Sequence, residues 1–251
     1  GLTGWGDDDL LPYFRRSESS RDRNDEFHGR NGPLKTEPAA NFGVLDQAFI
    51  DAAVAAGHEH IDDFNGPCRT GVARVDSTVS KGVRQSSAIA YLGRKRSNLA
   101  LLTNRQVARV RIKNGRAHAV ETVSGEVISA RQEIILCQGA FGTPQLLMLS
   151  GIGPAEHLRD HGIAPIVDLP GVGENLADHV DVSIQYGSHF AELSHARHQR
   201  LDRAAMLMAR WLMNGSGPGG GSLFSVVLFN AAGDRELPET QVFMTPMIID
   251  E

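Results

Sequence analysis

The sequence has few cysteines, no long apolar run and no block of basic charge, and each shortage removes a class of protein. Cys68 and Cys137 are the only cysteines in 251 residues, too few for a disulfide framework or a cysteine-based metal cluster. Cys137 stands in the run EIILC and is expected to be a small buried hydrophobe. No apolar stretch approaches the roughly 18 residues of a membrane span. The acidic start GLTGWGDDD has neither the basic nor the apolar region of a secretory signal. Together these absences give the expectation of a cytoplasmic protein with no membrane span. A formal charge of -5 without clustered Lys or Arg offers no attraction to a polyphosphate backbone, so nucleic acid is not an expected partner. No GxSxG elbow, Walker loop or paired-carboxylate motif is present, which leaves hydrolase and phosphotransferase chemistry without support.

What is present is glycine, 27 residues of it, and a hydrophobic share of 41%; the pair describes a globular chain with a real core and many tight turns. Residues 5–20 place three aspartates before an apolar group and Arg15 and Arg16 after it, the charge order of a short helix, with Pro12 expected in its first turn. The polar stretch 21–41 reads as loop. VLDQAFIDAAVAAG, Val44 to Gly57, repeats its apolar residues at helical spacing and stops at glycine. HIDDFNGPCRTG is turn-rich, ARVDSTVS alternates like a strand, and Ser86 or Ser87 is placed to cap a short helix ending at Leu92. From Asn98, the segments NLALLTN, RQVARVRIKNGRAHAVETV and SGEVISA alternate between the turn signals Asn114-Gly115 and Ser124-Gly125, which predicts a β-meander.

EIILC, Glu133 to Cys137, is short and continuously apolar, the pattern of a strand covered on both faces. It leads into GAFGTPQLLMLSGIG. Gly139 and Gly142 permit a sharp turn, Thr143 is placed as an N-cap with Pro144 at the first helical position, and Leu146, Leu147 and Leu149 are expected inside before Gly151 ends the helix. A buried strand passing through a glycine turn into a helix is the unit of a doubly wound nucleotide-binding fold.

Other patterns carry less. GSGPGG, Gly215 to Gly220, satisfies GxGxxG spacing, but it follows the helix-like AAMLMARWLMN instead of a strand, so it reads as a turn before the strand SLFSVVLF. His157 and His161 lie four apart on a predicted helix without the glutamate of a zinc-protease helix; His58 with His60, and His195 with His198, fall in polar surroundings. All read as solvated histidines, and no metal ligand is assigned.

GAFGTPQLLMLSGIG resembles the second signature of the glucose-methanol-choline (GMC) flavoprotein oxidoreductases at Gly139, Ala140, Thr143, Pro144, Leu146, Leu147, Ser150, Gly151, Ile152 and Gly153. The stretches WGDDDLLPYFRRSE, FHGRNGPL, DDFNG, GVRQSSAIAYL, NLALLT, PGVGENLADH and WLMNGSGPGG are similar to family stretches in the same order, with the choline and alcohol dehydrogenase branch nearest in style. The resemblance implies a partial FAD-binding doubly wound α/β domain joined to an α+β substrate domain with an antiparallel sheet. It also implies FAD as cofactor, a small-molecule alcohol as substrate and a separate electron acceptor. Cofactor contacts carry over to Val107, whose backbone would meet the adenine edge, and to Gly139 and Ala140, whose turn would pass close to the dinucleotide. His179, in ENLADHV, is expected to have a structural role at a crossover between domains, and DDFNG is given no catalytic part.

The expected division is a cover and part of the substrate domain over 1–66, part of the FAD domain over 67–165 and part of the substrate domain over 166–251. The family's opening glycine fingerprint and its catalytic histidine have no counterpart here, so no catalytic residue is assigned, and flanking segments of the same protein are expected to be needed. Two functions stay open: a piece of an FAD-dependent alcohol oxidoreductase, or a degenerate relative serving as a binding or structural module without flavin.

Overall fold

The computed structural model describes residues 2–93, 96–187, 200–217, 220–221, 224–233 and 237–245. In chain order the elements begin with α1 (Asp7–Ser17), β1 (Glu18–Ser20), β2 (Leu34–Pro38) and α2 (Val44–Ala55). The short strands β3 (Gly71–Arg74), β4 (Asp76–Ser77), β5 (Val79–Ser80) and β6 (Val83–Arg84) follow, then a π-helical turn over Ala88–Leu92. Next come β7 (Val107–Lys113), β8 (Arg116–Thr122), β9 (Val127–Ser129), α3 (Gly139–Leu149), β10 (Ile152–Gly153), α4 (Ala155–Asp160) and β11 (Val167–Asp168). The order closes with α5 (Leu201–Asn214), β12 (Val226–Asn230) and β13 (Thr240–Phe243). They form two compact units, one of residues 1–96 with 184–251, the other of 97–183. No helix among the described residues is long and apolar enough to cross a membrane.

The first unit is organised by an antiparallel sheet in the order β13-β12-β3. Val72, Val226 and Leu228 project from it into a core closed by Ile50 and Ala53 of α2, with Phe42 and Phe49 at its margin. Segment 59–61 runs along the outer side of β3, where Val72 donates to the Glu59 carbonyl at 2.8 Å and Ile61 donates to the Val72 carbonyl at 3.0 Å. A second, mixed sheet pairs β1 with β2 in parallel and β2 with β4 antiparallel.

The charge order of α1 is as expected, with Asp7, Asp8 and Asp9 in its first turn and Arg15 and Arg16 in its last. Pro12, however, is its sixth residue, so the helix lacks one internal N–H; α1 buries no residue, and water can take the carbonyl left free. Stretch 21–41 is not loop throughout, because β2 forms inside it by pairing with the distant β1 and β4. The turn after α5 is as read. Gly215 takes a left-handed C-cap with φ 67°, and the Trp211 indole donates to the Gly82 carbonyl at 2.7 Å, docking the end of α5 on the β5–β6 turn. Pro218 and Gly219 lie outside the described residues.

In the second unit the meander β7-β8-β9 forms with its turns where expected; Asn114 and Gly115 adopt φ of 53° and 72°, and Gly125 85°. Its expected first leg does not form: residues 98–104 contain no strand, and Leu99, Leu101 and Leu102 are exposed. EIILC is not a strand either. Ile135 is 75% exposed and Cys137 is a free, exposed cysteine, contrary to the buried positions expected. A parallel-type strand exists only through its neighbours, and residues 133–137 have no ladder partner among the described residues. α3 starts at Gly139, earlier than expected, with Gln138 at the N-cap position. Thr143 and Pro144 therefore lie inside the helix; the Thr143 hydroxyl accepts the Gln138 N–H at 3.2 Å and does cap-like work from within. Leu146 is buried, whereas Leu149 is half exposed.

Candidate functional site

The three residues assigned to cofactor contact all fall in the second unit, on elements that pack together. Val107 opens β7, which is an edge strand of its sheet; Gly139 and Ala140 open α3, which packs on β7. The contact is fixed at the far end of the helix. Buried Ser150 accepts the Val110 N–H at 2.8 Å and donates to the Leu146 carbonyl at 2.6 Å. Gly151, at φ 82°, then turns the chain so that Ile166 and Val167 can both donate to its carbonyl.

One hydroxyl thus couples helix to strand, and Ser150→Ala tests it. The substitution leaves the Val110 N–H buried without an acceptor, a cost of about 1–3 kcal/mol. A urea titration following the second unit should show that loss with little change in slope.

The N-terminal end of α3 is open. Gln138 makes no side-chain cap bond, Gly139 and Ala140 are exposed, and a Cβ added at Gly139, φ 77°, would meet no atom within 4 Å. Exposed first-turn N–H groups at the positive end of a helix suit an anionic or hydrogen-bond-accepting ligand, and a glycine there lets it approach the backbone. A dinucleotide fits this end of the unit on those grounds.

The first unit holds a denser constellation. His28, 3% exposed, has Nδ1 3.0 Å from Glu18 Oε2 and Nε2 2.7 Å from Asp63 Oδ2. Glu18 also accepts from the Gly29 N–H and the Thr36 hydroxyl, each at 3.0 Å. Arg23 donates from Nε to Asp76 Oδ2 at 2.6 Å and from a terminal nitrogen to the Asp62 carbonyl at 2.7 Å, and its Nε lies 3.7 Å from Asp63. Burial pulls the His28 imidazolium toward losing its proton. The hydrogen bond to Asp63 and the charges of Glu18 and Asp63 outweigh that pull, and the pKa is held above the ordinary histidine range.

Beside this network opens a cavity of about 350 Å³, lined in part by Asp63, Phe64, Arg69, Arg74, Asp76 and Phe229. Phe64 and Phe229 meet edge to face with centroids 4.8 Å apart. Asp76 Oδ1 is buried without a hydrogen-bond partner among the described residues. Donor atoms of Asp25, His28 and Asp63 lie within 4.8 Å of one another, but both imidazole nitrogens already face carboxylates at hydrogen-bond distance.

Sequence reasoning gave this network no role. Glu18, His28, Asp63 and Asp76 come from four separate segments, and no spacing rule joins them; the signal available was that FHGRNGPL and DDFNG, both set aside as family stretches, contain the central pair. His157, inside α4, and His161, at its C-cap, stack edge to face at 4.6 Å. His58 is half-buried, and His60 and His179 are exposed; His195 and His198 lie outside the described residues.

A protein-family model described as GMC oxidoreductase matches residues 1–181. Among curated proteins, an oxygen-dependent choline dehydrogenase of Photobacterium profundum is 41% identical over 236 residues, covering 91% of this chain and 41% of the relative. Another so named, from Brucella canis, is 36% identical over 260 residues, covering 99% and 46%. The chain spans less than half the length of these relatives.

Among solved structures, pyridoxine 4-oxidase from Mesorbium loti is similar with TM-score 0.63 and 33% identity over 68% of this chain and 35% of that one. A formate oxidase of Aspergillus oryzae gives TM-score 0.73 and 28% identity over 90% and 42%. An FAD-dependent oxidoreductase from Chaetomium thermophilum, at 24% identity and TM-score 0.80 over 91% and 44%, shares the fold.

Proposed function

We propose, from the premise that this chain belongs to the GMC oxidoreductase family, that it is part of an FAD-dependent enzyme oxidising the CH–OH group of a small alcohol. The observation that carries this reading is the family match over residues 1–181, joined by a relative named for choline that is 41% identical over 91% of the chain. Choline is accordingly the first substrate to test. Bound FAD would supply the hydride-accepting chemistry for oxidation of the substrate carbon.

The chain's own contribution is holding and covering. Gly139 and Ala140 offer the open first turn of α3 to the dinucleotide, and Val107 offers backbone at the free edge of β7 to the adenine. The sheet β13-β12-β3 is the counterpart of the antiparallel sheet that roofs the substrate in the family. The hydroxyl proton goes to a histidine outside these residues, and flanking segments of the same protein supply neighbours for residues 133–137. Exposed Ile135 and Phe141, 75% and 76% accessible, are the apolar surface those segments would cover.

The test is an absorbance scan of purified protein carrying these residues with their flanking segments, before and after anaerobic addition of choline. Flavin bands that bleach with choline are the expected result. Flavin bands unaltered by choline would keep FAD and reject this alcohol. A colourless, folded protein would reject the oxidoreductase reading and leave the module without flavin.

A further inference from the structure

Both nitrogens of a buried imidazole face carboxylates here. A neutral imidazole has one N–H and one bare lone pair, so a neutral His28 would set that lone pair against a carboxylate oxygen, either Glu18 Oε2 at 3.0 Å or Asp63 Oδ2 at 2.7 Å. Only the imidazolium donates to both. We propose that His28 is a proton-operated latch: its imidazolium pins the loop 62–66 to β1, and loss of its proton releases the loop.

The two carboxylates are not equally held. Glu18 keeps the Gly29 N–H and the Thr36 hydroxyl if His28 lets go. Asp63 Oδ2 has His28 as its donor among the described residues, while Oδ1 accepts the Asn65 N–H within its own loop and lies 3.7 Å from Arg23. The loop therefore moves before the strand does. Because Asp63 and Phe64 line the 350 Å³ cavity, the latch governs its rim.

The charges around the ring favour the closed state. Asp25, on the ring's own loop, accepts the N–H of Phe27 and of His28 through Oδ1. Glu18 faces the ring from β1, Asp63 from the facing loop, and Asp76 of β4 stands behind Arg23. Arg30 is turned to the Arg23 carbonyl. Arg23 reaches Asp76 and Asp63 of these four carboxylates, and a proton on His28 supplies a cation between Glu18 and Asp63.

A group whose pKa is higher in the folded state stabilises fully below its unfolded value, about 6.5 for histidine, and that contribution is lost as pH rises through the folded value. His28 is in this class, so the latch holds below the ordinary histidine value and opens as pH rises through the raised His28 value.

The test reads the ring nitrogens and the loop in the same protein. Nitrogen NMR over a pH series should find protons on both His28 nitrogens past the pH at which a free imidazole has become mostly neutral. Hydrogen exchange at Asn65 and Gly66, corrected for intrinsic rates, should accelerate about tenfold as pH passes the His28 titration, with β7–β8 amides unchanged. His28→Gln should show fast loop exchange at every pH. A His28 ring that loses its proton no later than a free imidazole does, or loop exchange that ignores the His28 titration, overturns the proposal. If the variant does not fold, the wild-type nitrogen spectrum alone decides.

Discussion

Gly29→Ala is expected to cost about 3 kcal/mol or more, from overpacking against backbone that cannot step aside. A Cβ at Gly29 would collide with the Arg15 carbonyl oxygen, and would lie 2.7 Å from both the Arg15 carbonyl carbon and the Glu18 carbonyl oxygen. These are backbone atoms at the end of α1 and the start of β1, so relief requires moving both elements. The hydrogen bonds from Ser20 to the Gly29 carbonyl at 2.8 Å and from Gly29 to Glu18 Oε2 at 3.0 Å would open with them. Gly57, whose added Cβ meets nothing within 4 Å although its φ is 98°, serves as control. Gly57→Ala carries only the left-handed backbone penalty of about 1–2 kcal/mol. Thermal unfolding should place Gly29→Ala about 6–12 °C below the parent, at roughly 2–4 °C per kcal/mol for a chain of this size. A melting point no lower than that of Gly57→Ala would mean that α1 and β1 do not meet at Gly29.

If Gly139 borders the proposed FAD site, Gly139→Val should strip flavin from the protein while leaving it folded. The added Cβ meets nothing within 4 Å, so the folding cost comes from φ 77°, which is larger for β-branched valine than for alanine. That open space is where the proposal seats the dinucleotide. Loss of close approach is expected to weaken FAD by at least about tenfold, or roughly 1.4 kcal/mol, read as the flavin-to-protein absorbance ratio after desalting and as a dissociation constant by fluorescence quenching. Gly139→Ala should fall between the two. Full flavin occupancy in the valine protein would remove Gly139 from the cofactor site; a protein that loses flavin only because it unfolds would be exposed by circular dichroism.

The two glycines show how unevenly a sequence reveals its sites. Gly139 stands in a dense motif, and its role as a turn residue beside a helix is legible from spacing. Gly29 looks like a loop glycine, and its φ is unremarkable; only the approach of α1 makes it indispensable. In the same way α2 and the meander β7-β8-β9 were legible because their apolar periodicity and their Asn-Gly or Ser-Gly turns are local causes. β2 was not, because residues 34–38 become a strand through β1 and β4, 14 or more residues away in the chain. EIILC failed in the opposite direction. Its composition is that of a covered strand, but a ladder needs a partner on at least one side, and residues 133–137 have none among those described.

The sequence by itself determined the family and the local elements: charge order wrote α1, spacing wrote α2, and a dense motif of glycines, Thr143 and Pro144 marked the α3 turn. Tertiary structure alone decided that Ser150 joins α3 to β7, that Glu18 and Asp63 meet at the His28 ring, and that Asp76 meets Arg23 beside them. The physical reason is range. Turns and helices answer to neighbours a few residues away, whereas a buried imidazolium exists only where the fold brings enough carboxylates together to offset its desolvation.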